Sequence, residues 1–125
     1  MIVLFTDFGA DDIYVPQVKA ALLEHLRVGT DIVDLLHSVS NFHVRAGAHL
    51  LAALQDRFPA GTVFLTVVDP DVGTDRDAVI LHTEIAALHV WLGPDDLSEV
   101  IHIDHYGNAL TGVRARNLPP EIRSQ

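Results

Sequence analysis

Cysteine is absent from this chain of 125 residues, and so are several other features that would mark a particular class of protein. Without cysteine there is neither a disulfide framework nor a thiolate zinc site, and a cytoplasmic location becomes the default expectation. No apolar run approaches the roughly 20 residues of a membrane-spanning helix, so we expect no contact with a membrane. The N-terminal stretch MIVLFTDF has no basic flank and no small-residue cleavage site, which argues against a signal peptide.

Basic residues are scarce as well. Lys and Arg number 8 against 17 Asp and Glu, which gives a formal net charge of −9. Because so acidic a chain repels phosphate backbones, we do not expect nucleic acid as a partner, and a neutral or cationic ligand suits it better. Hydrophobic residues make up 49% and charged residues 20%, as in a folded protein, and the length is that of one domain.

Hydrophobic patterning predicts an α/β fold with a more antiparallel second half. Helices are predicted at 12–26, capped by Asp11 or Asp12, and at Phe42–Phe58. Thr62–Val68 is nearly all apolar, as expected of a central strand covered on both faces. Residues 99–113 alternate and turn at Tyr106–Asn108, which predicts a hairpin. The other predicted strands are Val3–Thr6, Asp31–Leu36, Ala78–Thr83 and Ala87–Gly93.

Two predicted strands end in an aspartate followed by a glycine-containing turn. Asp7 follows the first strand, and Asp69 follows Thr62–Val68. If the two strands are parallel neighbours, both carboxylates open into one crevice, where they could accept hydrogen bonds from a ribose diol. Arg76 would then hold Asp69 ionised and orient a water molecule. The alternative is that the aspartates are turn and cap residues and that Arg76 forms a surface ion pair.

A metal site is not expected from the histidines or the aspartates. His102 and His105 are three residues apart on a predicted strand, so their side chains point to opposite faces. The stretch TDFGADD superficially resembles the calcium loop of nucleoside hydrolases, in which Asp7, Asp11 and Asp12 would be oxygen ligands. Phe5 stands where that loop has its first aspartate, which weakens this alternative.

Four segments of the sequence together resemble one family. They are VLFTDFGADDIYVPQVKAAL, VDLLHSVSNFHVRAGAHLLAALQDRFPAGTVFLTVVDPDVGTDRDAV, WLGPDDL and IDHYGNALTGV. In this order they resemble the S-adenosylmethionine hydroxide adenosyltransferase and fluorinase/chlorinase family from residue 2 to about 113. The resemblance implies a three-layer αβα fold with a central, mostly parallel sheet over residues 1–97. It also implies a hairpin remnant of the family's C-terminal β domain over 98–125, packed as part of a single domain.

The resemblance also implies an activity. Family members bind S-adenosylmethionine and direct water, hydroxide or halide at C5′ of its ribose, and the hydroxide enzymes release adenosine and L-methionine. The Asp–Arg pair favours hydrolysis over halogenation and implies catalytic roles for Asp69 and Arg76. No metal and no cofactor are implied, and the assembly is a homo-oligomer, in the family a trimer. The implied substrate-binding residues are Asp7, Phe8, Gly73, Thr74, Asp104 and Asn108.

The sequence departs from the family pattern at several positions. The family's segment with the third catalytic residue, a histidine, does not align between GPDDL and SEVIHIDHYGN. An inactive relative that binds adenosyl ligands, or that acts in assembly, is therefore the alternative to a hydrolase. Family glycines or arginines are replaced at Pro16, Asp71, Asp77 and Leu97.

Overall fold

A computed structural model of the chain describes residues 1–69, 73–75 and 96–120. The strands predicted at 78–83 and 87–93 lie outside these ranges. The described elements are β1 (Ile2–Thr6), α1 (Tyr14–His25), β2 (Ile32–Leu36), α2 (Val44–Leu54), β3 (Val63–Val67), β4 (Leu97–Ile103) and β5 (Ala109–Gly112), with 3₁₀ turns at Gln55–Arg57 and Ala115–Asn117.

Strands β1, β2 and β3 form a parallel sheet in the order β2-β1-β3. Strand β1 is buried at all five positions, because apolar side chains on both of its faces are covered. Since β2 and β3 lie on opposite sides of β1, right-handed crossovers place α1 and α2 on opposite faces of the sheet. This arrangement confirms the αβα fold class that the resemblance implied.

Strand β3 differs from its prediction. It is half-buried rather than covered throughout, and Val63 is 59% exposed. Strand β1, which has a hydrogen-bonded partner along each edge, is the strand buried at all five positions. A run of apolar residues therefore identified a strand in both cases but did not show which of the two is covered throughout.

The N-cap of helix α1 lies one or two residues after the predicted cap. Its N-cap is Ile13, and no side chain caps it. The carboxylate of Asp12 instead accepts a hydrogen bond from the N–H of Ile13 at 2.6 Å, which lies before the helix, so capping by Asp11 or Asp12 was wrong. Pro16 lies in the first turn, where the helix needs no N–H from it.

Helix α2 belongs to a core cluster that also includes residues of the sheet and of the hairpin. The side chain of His43 caps it by accepting a hydrogen bond from the N–H of Ala46. Its apolar stripe is buried at Ala46, Leu50 and Leu51, whereas Leu54 is only partly buried. One core cluster joins the buried part of this stripe to Phe5 of β1, Val39, and Leu97 and Ile101 of β4.

Strands β4 and β5 form the predicted antiparallel hairpin, and Asp104 N–H bonds to the carbonyl of Asn108 across its turn. The hairpin packs on α2 through Leu97 and Ile101. The division of the chain into 1–97 and 98–125 stays a prediction. Within the part of the chain that the structure describes, neither helix has the length and apolar character needed to cross a bilayer.

Candidate functional site

The carboxyl ends of β1 and β3 lie side by side. The order β2-β1-β3 is that of the first strands of flavodoxin-like sheets, whose ligands bind at the switch point between the first and third strands. Asp7 directly follows β1, and its N–H donates to the carbonyl of Val67, the last residue of β3, at 3.1 Å. Asp69 comes two residues later and is half-buried. The two aspartates therefore follow parallel neighbouring strands, which is the condition that the sequence left open.

One oxygen of the Asp7 carboxylate is anchored, and the other is available to a ligand. The side chain is only 8% exposed. Its Oδ2 accepts a hydrogen bond from the N–H of Phe42 at 2.9 Å. Its Oδ1 has no hydrogen-bond partner among residues 1–69, 73–75 and 96–120. A carboxylate held in this way can accept further hydrogen bonds from hydroxyl groups without first being reoriented.

The N–H that anchors Asp7 belongs to a residue with an unusual backbone conformation. Phe42 has φ of 61°, in the left-handed region that bulky residues rarely adopt. Such conformations persist where surrounding contacts hold them, and they are common at functional sites. Phe42 was not among the predicted site residues, because a positive φ at phenylalanine leaves no signature in the sequence.

Behind Asp7, a hydrogen-bond network joins the ends of β1 and β2. Thr6 Oγ1 lies 2.8 Å from His37 Nδ1, and His37 Nε2 lies 3.0 Å from Asp34 Oδ1. The other oxygen of Asp34 accepts a hydrogen bond from Lys19 of α1. Burial raises the pKa of Asp34, but hydrogen bonds from Lys19 and His37 outweigh this effect, so its pKa lies below the ordinary value. His37 was not among the predicted site residues, because a single histidine after a strand carries no signal of this network in the sequence.

Of the remaining predicted site residues, the structure describes some and not others. The ring of Phe8 lies 5.9 Å from that of Tyr14. Gly73, with φ of 84°, and Thr74 are exposed in a turn. Arg76, the predicted partner of Asp69, lies outside the described residues, as do Asp71 and Asp77.

Asp104 and Asn108 form the turn of the hairpin. Asp104 Oδ1 accepts hydrogen bonds from the N–H groups of Tyr106 and Asn108, and its Oδ2 accepts one from the Asn108 side chain. These bonds, above all those from Asn108, lower the pKa of Asp104. The structure thus gives both residues a role in the turn, and their contact with a substrate stays a prediction.

Metal ligation finds no support in the described ranges. They contain no group of three or more His, Asp or Glu residues that could hold an ion. Asp7, Asp11 and Asp12, the ligands of the calcium-loop alternative, do not form such a group.

The order of the described strands and the aspartates at their carboxyl ends define an α/β protein with a candidate ligand site at the β1/β3 switch point. The model of the SAM hydroxide adenosyltransferase N-terminal domain matches residues 2–115. The chain therefore belongs to the SAM hydroxide adenosyltransferase family.

Curated relatives agree with this assignment. The (R)-S-adenosyl-L-methionine hydrolase of Thermus thermophilus is 43% identical over 73% of this chain and 34% of its own length. The hydrolase of the same name from Methanocaldococcus jannaschii is 31% identical over 77% and 36%. A fluorinase of an Actinoplanes species is 37% identical over 70% and 29%. The chain thus spans about a third of the length of these relatives.

Two solved structures share the fold. A conserved protein of Thermotoga maritima, uncharacterised by its description, aligns with a TM-score of 0.55 and 41% identity, over 62% of this chain and 30% of that one. A conserved hypothetical protein of Thermus thermophilus aligns with a TM-score of 0.52 and 41% identity, over 60% and 31%.

Proposed function

We propose that the chain binds S-adenosylmethionine and hydrolyses it to adenosine and L-methionine. The observation that carries the proposal is the Asp7 carboxylate, which is anchored at Oδ2 and available at Oδ1 beside the ends of β1 and β3. Membership of the family and the names of the hydrolase relatives support the choice of substrate.

The proposed reaction is one substitution at C5′ of the ribose. The oxygen of water forms a bond to C5′ as the C5′–S bond breaks, and the electron pair of that bond remains on sulfur. The sulfonium thereby becomes the neutral thioether of methionine, and the water loses one proton to solvent. Because this leaving group needs no acid, the protein's contribution is to position and desolvate the reactants.

Each site residue has a proposed role. Asp7 accepts hydrogen bonds from the ribose hydroxyls, and Asp69 and Arg76 orient the attacking water. The other proposed substrate contacts are made by Phe8, Gly73, Thr74, Asp104 and Asn108.

The proposal is tested by incubating the purified chain with S-adenosylmethionine and measuring adenosine by chromatography against a no-enzyme control. In Asp7→Asn, adenosine formation and adenosine binding should both fall at least about ten-fold, since a hydrogen bond to a charged group is lost. Asp31→Asn, which changes an exposed aspartate in the same way, is the matched control and should leave both unchanged. Absence of both turnover and binding in the unaltered chain would rule the proposal out.

Binding of adenosine without turnover would instead identify an inactive relative that retains the ligand site. Activity that persists in a chelator would agree with a reaction that needs no metal. We further propose a homo-oligomer, with the family's trimer as the expected state, which light scattering would measure. The cytoplasmic location also stays a prediction, and cell fractionation would test it.

A further inference from the structure

The hydrogen bonds behind Asp7 run in one consistent direction. Thr6 Oγ1 accepts the N–H of Phe8 at 3.3 Å, so its own hydrogen is free to donate to His37 Nδ1 at 2.8 Å. If the imidazole N–H lies at Nε2, it donates to Asp34 Oδ1, 3.0 Å away. With the proton at this nitrogen, every donor and acceptor in the chain of bonds has a partner.

The three side chains follow the order of a hydrolytic triad, but the structure excludes that role. Thr6 is 2% exposed and His37 is 8% exposed. The Thr6 oxygen also already accepts a hydrogen bond from Phe8. A nucleophile must reach its substrate, and this hydroxyl cannot. The network therefore has a positioning role rather than a catalytic one.

What it holds is the turn that carries Asp7. His37 contacts this turn twice, through its side chain to Thr6 and through its carbonyl, which accepts the N–H of Gly9 at 2.7 Å. Gly9 has φ of 91°, which lets the chain turn sharply there. Residues on both sides of Asp7, Thr6 and Gly9, are thus hydrogen-bonded to His37.

We propose that His37, oriented by Asp34, is a positioning residue that fixes the turn 7–9 and so directs Oδ1 of Asp7 at the ligand. The identity of the ligand rests on the proposed function, whereas the geometry of the turn does not. Removing the Thr6 hydroxyl leaves the part-buried N–H of Phe8 without its partner, and the turn must move for this N–H to find another. Such a movement displaces Asp7 while its own anchor from Phe42 is still present.

The test compares Thr6→Val, which removes the hydroxyl and keeps the shape, with Thr6→Ser, which keeps the hydroxyl. Thr6→Val should weaken adenosine binding about ten-fold by calorimetry, and Thr6→Ser should stay within about two-fold of the unaltered chain. Amide hydrogen exchange at Phe8 and Gly9 should accelerate in Thr6→Val alone. His25→Gln, a change at an exposed histidine of α1, is the control and should alter neither measurement.

Two further measurements keep the test decisive. Nitrogen-15 shifts of the imidazole should show that His37 is protonated at Nε2 alone, and protonation at Nδ1 would overturn the proposal. If Thr6→Val fails to fold by circular dichroism, Asp34→Asn replaces it, because the Asp34 side chain is 43% exposed and lies at the outer end of the network. Unchanged amide exchange and unchanged binding in the folded variant would also overturn the proposal.

Failure of the proposed function gives a different result. If the unaltered chain binds neither adenosine nor S-adenosylmethionine, that function fails. The exchange rates at Phe8 and Gly9 and the tautomer of His37 then decide the positioning role without a ligand.

Discussion

At the scale of single residues, the candidate site depends on backbone groups as much as on side chains. Asp7 was identified from its place after an apolar strand, and the structure places it there. Its anchor is the N–H of Phe42, 35 positions further along the chain. No local pattern links the two positions, because they meet only once β1 and β2 have paired and brought the loops at their carboxyl ends together.

The conformation of Phe42 leads to a testable prediction. The left-handed region costs an ordinary residue about 1 kcal/mol or more, because Cβ approaches the following carbonyl, and it costs glycine nothing. We therefore expect Phe42→Gly to be more stable than Phe42→Ala by about 1 kcal/mol in urea unfolding. Alanine is the matched control, since it also removes the ring but retains Cβ. Equal stability of the two variants would show that φ at this position is not strained.

At the scale of elements, periodicity predicted the described strands and helices to within a few residues. The stripe of α2 was visible because leucines and alanines recur at helical spacing, and the hairpin was visible because apolar residues alternate. The start of α1 was wrong, because the Asp12 side chain bonds to the N–H of Ile13 before the helix instead of capping it. Among the described strands, β1 lies between β2 and β3 because both pair with it, and such pairing between distant segments leaves no local pattern in the sequence.

The packing of the hairpin on α2 leaves no room at Gly112. A Cβ there would lie 2.5 Å from Cβ of Leu97, 2.9 Å from its carbonyl oxygen and 3.2 Å from the ring of His49. Because two of these neighbours belong to the backbone or lie next to it, they cannot move cheaply. Gly112→Ala should destabilise the fold by about 1–3 kcal/mol in thermal or urea unfolding. Thr111→Ala, at an exposed position of the same strand, should have a much smaller effect. Equal losses in both variants would contradict the steric explanation.

At the scale of the whole molecule, several titrating groups make the fold sensitive to acid. Among the described residues, three carboxyls have pKa values below the ordinary 3.8: Asp34, Asp96 and Asp104. Hydrogen bonds from Asn117 and Arg114 lower the pKa of Asp96. A carboxyl whose pKa is lowered by folding stabilises the fold at pH values above its pKa in the unfolded chain. This contribution is lost as the pH falls through its pKa in the folded chain. Stability should therefore decrease below pH 3.8.

His49 should cause a loss of stability at a higher pH than the carboxyl groups do. Burial lowers its pKa below the ordinary 6.5, and the charges of Arg114 and Arg45 lower it further, against the opposing charge of Asp96. The imidazole is 7% exposed, and its Nε2 has no hydrogen-bond partner in the described part of the chain. Between the folded and unfolded pKa values the unfolded chain binds more protons, so stability rises with pH and falls on acidification from about 6.5.

His49→Leu should remove this early loss. Leucine carries no titrating group and leaves no buried nitrogen unpaired, so the variant should match or exceed the unaltered chain in stability at pH 5. Urea unfolding at a series of pH values from 7.5 to 3 measures the difference. His25→Gln, at the exposed end of α1, should keep the unaltered slope between about pH 6.5 and 5. If His49→Leu leaves the slope of stability against pH unchanged, the buried imidazole does not cause the loss of stability between about pH 6.5 and 5. The loss below pH 3.8 should remain in every variant, because none of them changes the carboxyl groups that cause it.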